Sequence, residues 1–92
     1  MVIEFTNTAW EDFTYWIEND QEIVTKIKEL IKSINQEPFK GIGKPEPLKF
    51  GLKGYWSRRI TGEHRLVYSI TGIKGMNQKC TIIQCRFHYD NQ

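Results

Sequence analysis

Tyr55-Trp56-Ser57-Arg58-Arg59-Ile60-Thr61-Gly62-Glu63-His64-Arg65-Leu66-Val67-Tyr68-Ser69-Ile70 is the stretch on which the fold turns. Two runs rich in aromatic and β-branched residues flank Thr61-Gly62, a turn signal, so residues 55–60 and 63–70 are expected to pair as a β-hairpin. Side chains alternate across a strand, which puts Leu66, Tyr68 and Ile70 on one face and Arg65 on the other. Arg59 likewise lies opposite Ile60. Residues 72–78 make a longer turn, and residues 80–89 continue the sheet as its last strand. There Ile83, Cys85 and Phe87 are expected to face the core, with Arg86 and His88 pointing outward. One face is thus apolar, and the open one collects arginines and a histidine.

The cover for the apolar face is predicted upstream. Ile23, Ile27, Leu30, Ile31 and Ile34 follow the spacing of one buried helical stripe. A residue before proline avoids helical angles, so Glu37-Pro38 ends this helix near Asn35. An earlier helix starts at Thr6 or Thr8, and Thr8 with Glu11 forms a plausible capping box. Phe13, Trp16 and Ile17 share a face of it, with Trp10 beside them. Asn19-Asp20 closes it and caps the next, a link so short that an antiparallel helical hairpin is favoured. Residues 2–6 read as a short strand with Ile3 and Phe5 on one side. Residues 38–54, dense in Pro, Gly and Lys, read as a loop, either functional or disordered. The expectation is an α+β fold, with an N-terminal strand and helical hairpin on one face of an antiparallel sheet.

Ninety-two residues are expected to form one domain, 1–92, with a limited core, since a chain this short buries only about 60–65% of its unfolded surface. Twelve aromatic residues can supply that core, and 39% hydrophobic content argues against disorder. No segment approaches the ~20 apolar residues of a membrane span. Met1-Val2-Ile3-Glu4-Phe5 lacks a basic leader and carries an acid, so a cytoplasmic protein without membrane contact is expected. Cys80 and Cys85 are too few for a disulfide framework or a zinc site and read as buried free thiols. The net charge of +2 hides a split. Residues 1–39 hold three lysines against eight acids, a net of −5; residues 40–92 hold ten Lys/Arg against three acids, a net of +7. An anionic polymer would bind the second part, the alternative being a solvated charged surface.

The most unusual segment is Lys44-Pro45-Glu46-Pro47-Leu48-Lys49. Flanking prolines fix φ on both sides of Glu46 and hold it extended, a rigid carboxylate among cations. A general base needs such positioning, although the prolines would equally stiffen an ordinary surface loop. His88 sits beside Arg86 and Tyr89, and histidine exchanges protons near neutral pH. His64, next to the turn, reads as structural or simply exposed. Arg59 and Arg65 could clamp a phosphate, or serve as ordinary ion-pair partners. Together these are the residue types that metal-free RNA cleavage needs: a base for the 2′-hydroxyl, cations for the phosphorane, and an acid for the leaving 5′-oxygen. Only Glu46 and Glu63 supply carboxylates in the loop and sheet, which disfavours a metal route.

With Lys44–Lys49, Trp56-Ser57-Arg58-Arg59-Ile60, Glu63-His64-Arg65-Leu66-Val67-Tyr68 and Cys85-Arg86-Phe87-His88-Tyr89 in order, the chain resembles the YoeB toxins of the RelE/ParE superfamily. The resemblance runs over nearly the whole chain and implies a microbial-ribonuclease-like sheet with an N-terminal helical hairpin. It implies an endoribonuclease that cuts mRNA in the ribosomal A site with no cofactor. At matching positions it implies Glu46 as general base, His88 as general acid, Arg65 as transition-state clamp and Tyr89 as the aromatic that orients substrate. Lys44, Lys49, Arg59 and Glu63 would hold RNA or organise the site. The implied partner is a YefM-like antitoxin whose disordered C-terminal segment folds over the toxin, bound to a monomer or a homodimer. Two features depart from the family pattern. Asp90-Asn91-Gln92 follow the His-Tyr pair, which moves the terminal carboxylate and sets a negative charge near His88. The loop around Ile73-Lys74-Gly75-Met76 is longer than usual and is expected to change shape more than chemistry. Some ParE-type relatives instead bind DNA gyrase without cutting RNA, and an inactive ribosome binder is a third reading. The trio Glu46, Arg65 and His88 favours the nuclease.

Overall fold

Thr6 decides where the first helix begins. Its N–H donates to the Ile82 carbonyl at 3.0 Å, ending β1 (Val2–Phe5), and its hydroxyl accepts from Ala9 N at 3.1 Å to open α1 (Asn7–Asn19). Thr8 and Glu11 therefore lie inside the helix, and the capping box expected there is not used. Asp20 serves both helices. Its N–H donates to Trp16 O, while its carboxylate accepts from Glu22 N and Ile23 N at the start of α2 (Gln21–Gln36). The structure, a computed structural model, describes residues 1–88.

The expected stripe of α2 is the buried one, with Val24 added: Val24, Ile27, Leu30 and Ile34 are buried, and Ile23 and Ile31 pack at its edges. On α1 the buried residues are Ala9 and Trp16, with Phe13 half-buried. Ile17, expected in the core, is exposed. Trp16 takes the central position because its indole N–H donates to Cys85 O at 2.8 Å, and Ile17, about 100° further round the helix, turns outward.

The remaining strands are β2 (Glu46–Pro47), β3 (Trp56–Arg59), β4 (Arg65–Thr71) and β5 (Lys79–Gln84). They assemble in the order β1-β5-β4-β3-β2, with β1 parallel to β5 and the other pairs antiparallel. One core joins Trp16 and the α2 stripe to Leu66, Tyr68, Cys80, Ile82 and Cys85. The architecture is the α+β one expected, with both helices packed against one side of a largely antiparallel sheet.

Three local expectations are corrected. Residues 38–54 are not wholly loop, because Glu46 and Pro47 pair with Ser57 and Trp56 as an edge strand and Phe50–Leu52 forms a 3-10 turn. An edge tolerates proline, which has no N–H to offer a further neighbour. The hairpin turn is longer than Thr61-Gly62, since pairing ends at Arg59–Arg65 and the Thr61 hydroxyl accepts from Glu63 N and His64 N to close its own bend. Finally, the last strand stops at Gln84, and its core face is Cys80 and Ile82 rather than Ile83 and Phe87. Tyr68 pairs with Ile82 and Val67 with Gln84, so Ile83 is a bulge that reverses the alternation and returns Cys85 to the core.

Candidate active site

Strand register brings three of the expected site residues, Glu46, Arg59 and Arg65, onto the face away from the helices. Directly opposed residues in a ladder share a face, as do residues two apart on one strand. Glu46 opposes Ser57, Ser57 opposes Val67, Val67 opposes Gln84, and Arg59 opposes Arg65. Glu46, Arg59 and Arg65 are therefore on one surface, with the edge carboxylate two strand spacings, about 9–10 Å, from β4. The centre of that face is not open as expected, since Ser57 and Val67 are both fully buried. The charged groups lie around it. Glu46, Lys44, Lys49 and Arg59 are exposed, and Glu63, in the hairpin turn, is 84% exposed.

The loop that carries Glu46 is anchored by a residue to which the sequence reading gave no role. Arg58 is fully buried on the helix side of β3. Its Nε donates to Tyr68 Oη (3.1 Å); Nη1 donates to Ser33 Oγ (2.8 Å) and Ile42 O (3.0 Å). Nη2 donates to Glu37 O (2.9 Å), Pro38 O (3.3 Å) and Lys40 O (2.8 Å). All five N–H bonds of the guanidinium are used, which is how a buried charge is held among uncharged acceptors. Burial pushes the Tyr68 phenol up from its usual range, against the lowering effect of Arg58, and its O–H donates to Pro38 O at 2.7 Å. A signal for this lock existed. Strand alternation that sends Arg59 outward sends Arg58 inward, where only a loop with unpaired carbonyls could satisfy it. Gly43 completes the attachment: its carbonyl accepts from Arg59 N at 2.7 Å, its φ is +83°, and a Cβ there would stand 2.6 Å from Leu30 Cδ2. Lys44 follows at φ +52°, a left-handed turn into β2 that costs a non-glycine residue about 1–2 kcal/mol.

Arg65 is 8% exposed, and its Nη1 donates to three carbonyls of the turn, Thr61 (2.8 Å), Gly62 (3.3 Å) and His64 (3.2 Å). Its backbone N–H donates to Phe87 O at 3.0 Å, so the segment beyond β5 passes alongside it and His88 comes next. That segment is held from α1 as well. Asp12 Oδ2 accepts from Cys85 N at 3.0 Å, and burial raises the Asp12 carboxyl above its usual range despite that bond and the nearby Arg86. The Arg86 guanidinium lies 3.4 Å from the Tyr15 ring centroid, a cation–π contact on the helix that corrects its expected outward direction. Phe87 N donates to His64 Nδ1 at 2.7 Å, and Phe87 has φ +67°. His64 is thus structural, as read, but it touches the segment that carries His88. His88 is exposed, and Tyr89 lies outside the described residues. Burial pushes both thiols, Cys80 and Cys85, up to about 12, which leaves them unreactive.

Among the described residues no group of three His, Cys, Asp or Glu is placed to hold a metal ion, and no helix is long and apolar enough to cross a membrane. The arrangement is a carboxylate edge and an arginine pair on one face, with a histidine-bearing tail bonded to the hairpin turn beside Arg65. Residues 5–89 match the family described as YoeB-like toxin of bacterial type II toxin–antitoxin system. Toxin YoeB of Synechocystis sp. is 52% identical over 97% of this chain and 98% of its own length. A solved YoeB/ParE toxin from Agrobacterium tumefaciens superposes with a TM-score of 0.91 at 48% identity, covering 97% of this chain and all of that one. A toxin chain in the heterotetrameric YoeB–YefM toxin–antitoxin complex from Staphylococcus aureus superposes at 0.84 with 46% identity, over 97% and 98% of the two chains. Sequence and fold agree over nearly the whole length, and this chain belongs to the YoeB-like toxins of bacterial type II toxin–antitoxin systems.

Proposed function

We propose that this toxin, a single domain over 1–92, is a metal-independent endoribonuclease that cuts mRNA on the ribosome in the cytoplasm. The observation that carries this reading is that Glu46, Arg59 and Arg65 share one cationic face, with Arg65 N bonded to the carbonyl of Phe87, the residue before His88. Glu46 takes the proton of the 2′-hydroxyl, whose oxygen attacks the adjacent phosphorus. Arg65 and Arg59 balance the charge that accumulates on the phosphorane oxygens. The Nη1 of Arg65 is occupied by turn carbonyls, so its Nε–Nη2 edge is the one offered to phosphate. His88 gives its proton to the leaving 5′-oxygen as the P–O bond breaks, leaving a 2′,3′-cyclic phosphate and a 5′-hydroxyl. Lys44, Lys49 and Arg59 hold the flanking phosphates, Glu63 organises the turn beside Arg65, and Tyr89 orients the substrate.

The partner is an antitoxin related to YefM, which inhibits by covering or displacing this face with a segment that folds on binding. Glu46→Gln and His88→Gln preserve shape while removing the base and the acid. Each should slow single-turnover cleavage of ribosome-bound mRNA by roughly 10²–10⁴-fold while ribosome binding is kept. Undiminished rates in both variants would overturn the assignment.

A further inference from the structure

Among the described residues no strand pairing guides the chain beyond Gln84, yet Cys85 to Phe87 is fixed at every residue by groups from elsewhere. Asp12 Oδ2 and the Trp16 indole take the N–H and carbonyl of Cys85 (3.0 and 2.8 Å), and Arg86 stacks on Tyr15. The last grip falls on Phe87. His64 Nδ1 accepts from its N–H at 2.7 Å, and the N–H of the next residue in sequence, Arg65, donates to its carbonyl at 3.0 Å. Both polar groups of Phe87 are thereby satisfied by two consecutive residues of the hairpin turn, and Phe87, 55% exposed, holds φ +67°. A phenylalanine gains nothing from that conformation by itself. Its ring meets the Arg86 guanidinium at 4.4 Å and the His64 ring at 6.0 Å, and the two hydrogen bonds with the hairpin turn fix its backbone.

We propose that His64 is a positioning residue: by holding Phe87 in the left-handed conformation it aims the following residue, His88, at the site. This rests on the nuclease reading given above. A backbone amide can only donate, so Nδ1 of His64 carries no proton and the ring's N–H is at Nε2, on the side of Glu63 Oε1 at 3.8 Å. The ring cannot easily turn away. It meets Trp16 edge to face at 4.8 Å and 80°, and Trp16 is itself tied to Cys85. Releasing the amide of Phe87 frees it to return to negative φ, which redirects the chain at His88. Displacing a reacting group by about an ångström costs on the order of 10²-fold in rate.

The test separates the acceptor from the ring. His64→Leu keeps an apolar contact with Trp16 and removes the acceptor, whereas the Oδ1 of His64→Asn can stand where Nδ1 stood. For His64→Leu we expect amide exchange at Phe87 to quicken by roughly tenfold or more, a moved His88 imidazole resonance, and single-turnover cleavage slowed about 10²-fold at unchanged ribosome affinity. His64→Asn should restore most of the exchange protection and of the rate. Wild-type exchange at Phe87 in the His64→Leu protein, or equal losses in both variants, would overturn the proposal. The NMR readouts need no substrate. If the wild-type protein cuts no RNA, the nuclease reading fails while protection at Phe87 still decides whether His64 holds the tail.

Discussion

Residues 7–36 and the segments 37–44 and 85–88 are held in place in different ways. The helical hairpin satisfies its backbone internally, with Thr6 and Asp20 supplying the caps and a regular apolar stripe supplying adhesion. The two irregular segments take their hydrogen bonds from distant side chains: Arg58, Tyr68, Asp12, Trp16 and His64. All the non-glycine residues of positive φ among the described ones, Lys44, Phe50 and Phe87, fall outside the hairpin, on the loop and tail that carry the proposed chemistry. Regular structure built the frame here, and borrowed hydrogen bonds hold the segments of the candidate site. A frame of that kind withstands substitution at many surface positions, while the borrowed bonds concentrate dependence on a few residues.

Arg58→Met should break this contrast most severely. It leaves the Tyr68 hydroxyl and four loop carbonyls short of a donor. We expect a loss of about 3 kcal/mol or more in urea unfolding. Glu29→Ala, on the solvent side of α2, should change stability by no more than about 0.5 kcal/mol. Equal effects of the two would remove the distinction between the regions.

The charge difference between the regions can be sharpened next. Lys49→Glu and Arg59→Glu, both at exposed positions of the proposed RNA-binding face, should weaken binding to ribosomes and flatten its salt dependence. The logarithmic slope should fall by about 0.7 per lost phosphate contact. Binding titrations at several salt concentrations would check this. Slopes matching wild type would mean that the +7 of residues 40–92 is ordinary solvated charge.

A smaller effect lies in the shared core. The thiols of Cys80 and Cys85 ionise near 9.0 in the unfolded chain and near 12 in the fold. Above about pH 9 the unfolded state gives up protons that the folded state keeps, so stability falls as pH climbs through that window. Tyr68, also raised by burial, adds a loss of the same sign above its usual 10.0. Replacing both cysteines with alanine should flatten the decline of the urea midpoint between pH 9 and 11 (roughly the accessible part of the window). An identical decline would exclude the thiols.

The legibility of the sequence followed the same division. The α2 stripe, the Asp20 link and the inward face of β4 were readable because periodicity reports regular structure directly. Arg65 and Arg59 fell on the correct face for the same reason. The last strand did not read correctly, because a one-residue bulge at Ile83 inverts alternation and leaves no mark in composition. Arg86 was misdirected because the strand ends at Gln84, so alternation no longer governs it, and the clamp of Asp12, Trp16 and His64 on the tail joins residues 23 to 73 positions apart, beyond any local pattern. The extended backbone at Glu46 was legible through its prolines, yet the edge strand it joins was not.

The central claim is that acid–base chemistry on the cationic face cuts mRNA. Its most direct measurement is end-group analysis of mRNA cut on translating ribosomes, run with and without EDTA beside a gyrase supercoiling assay. The account predicts 2′,3′-cyclic phosphate and 5′-hydroxyl ends in both conditions, with gyrase unaffected. Ends carrying 5′-phosphate, cleavage abolished by EDTA, or intact mRNA with poisoned gyrase would contradict it.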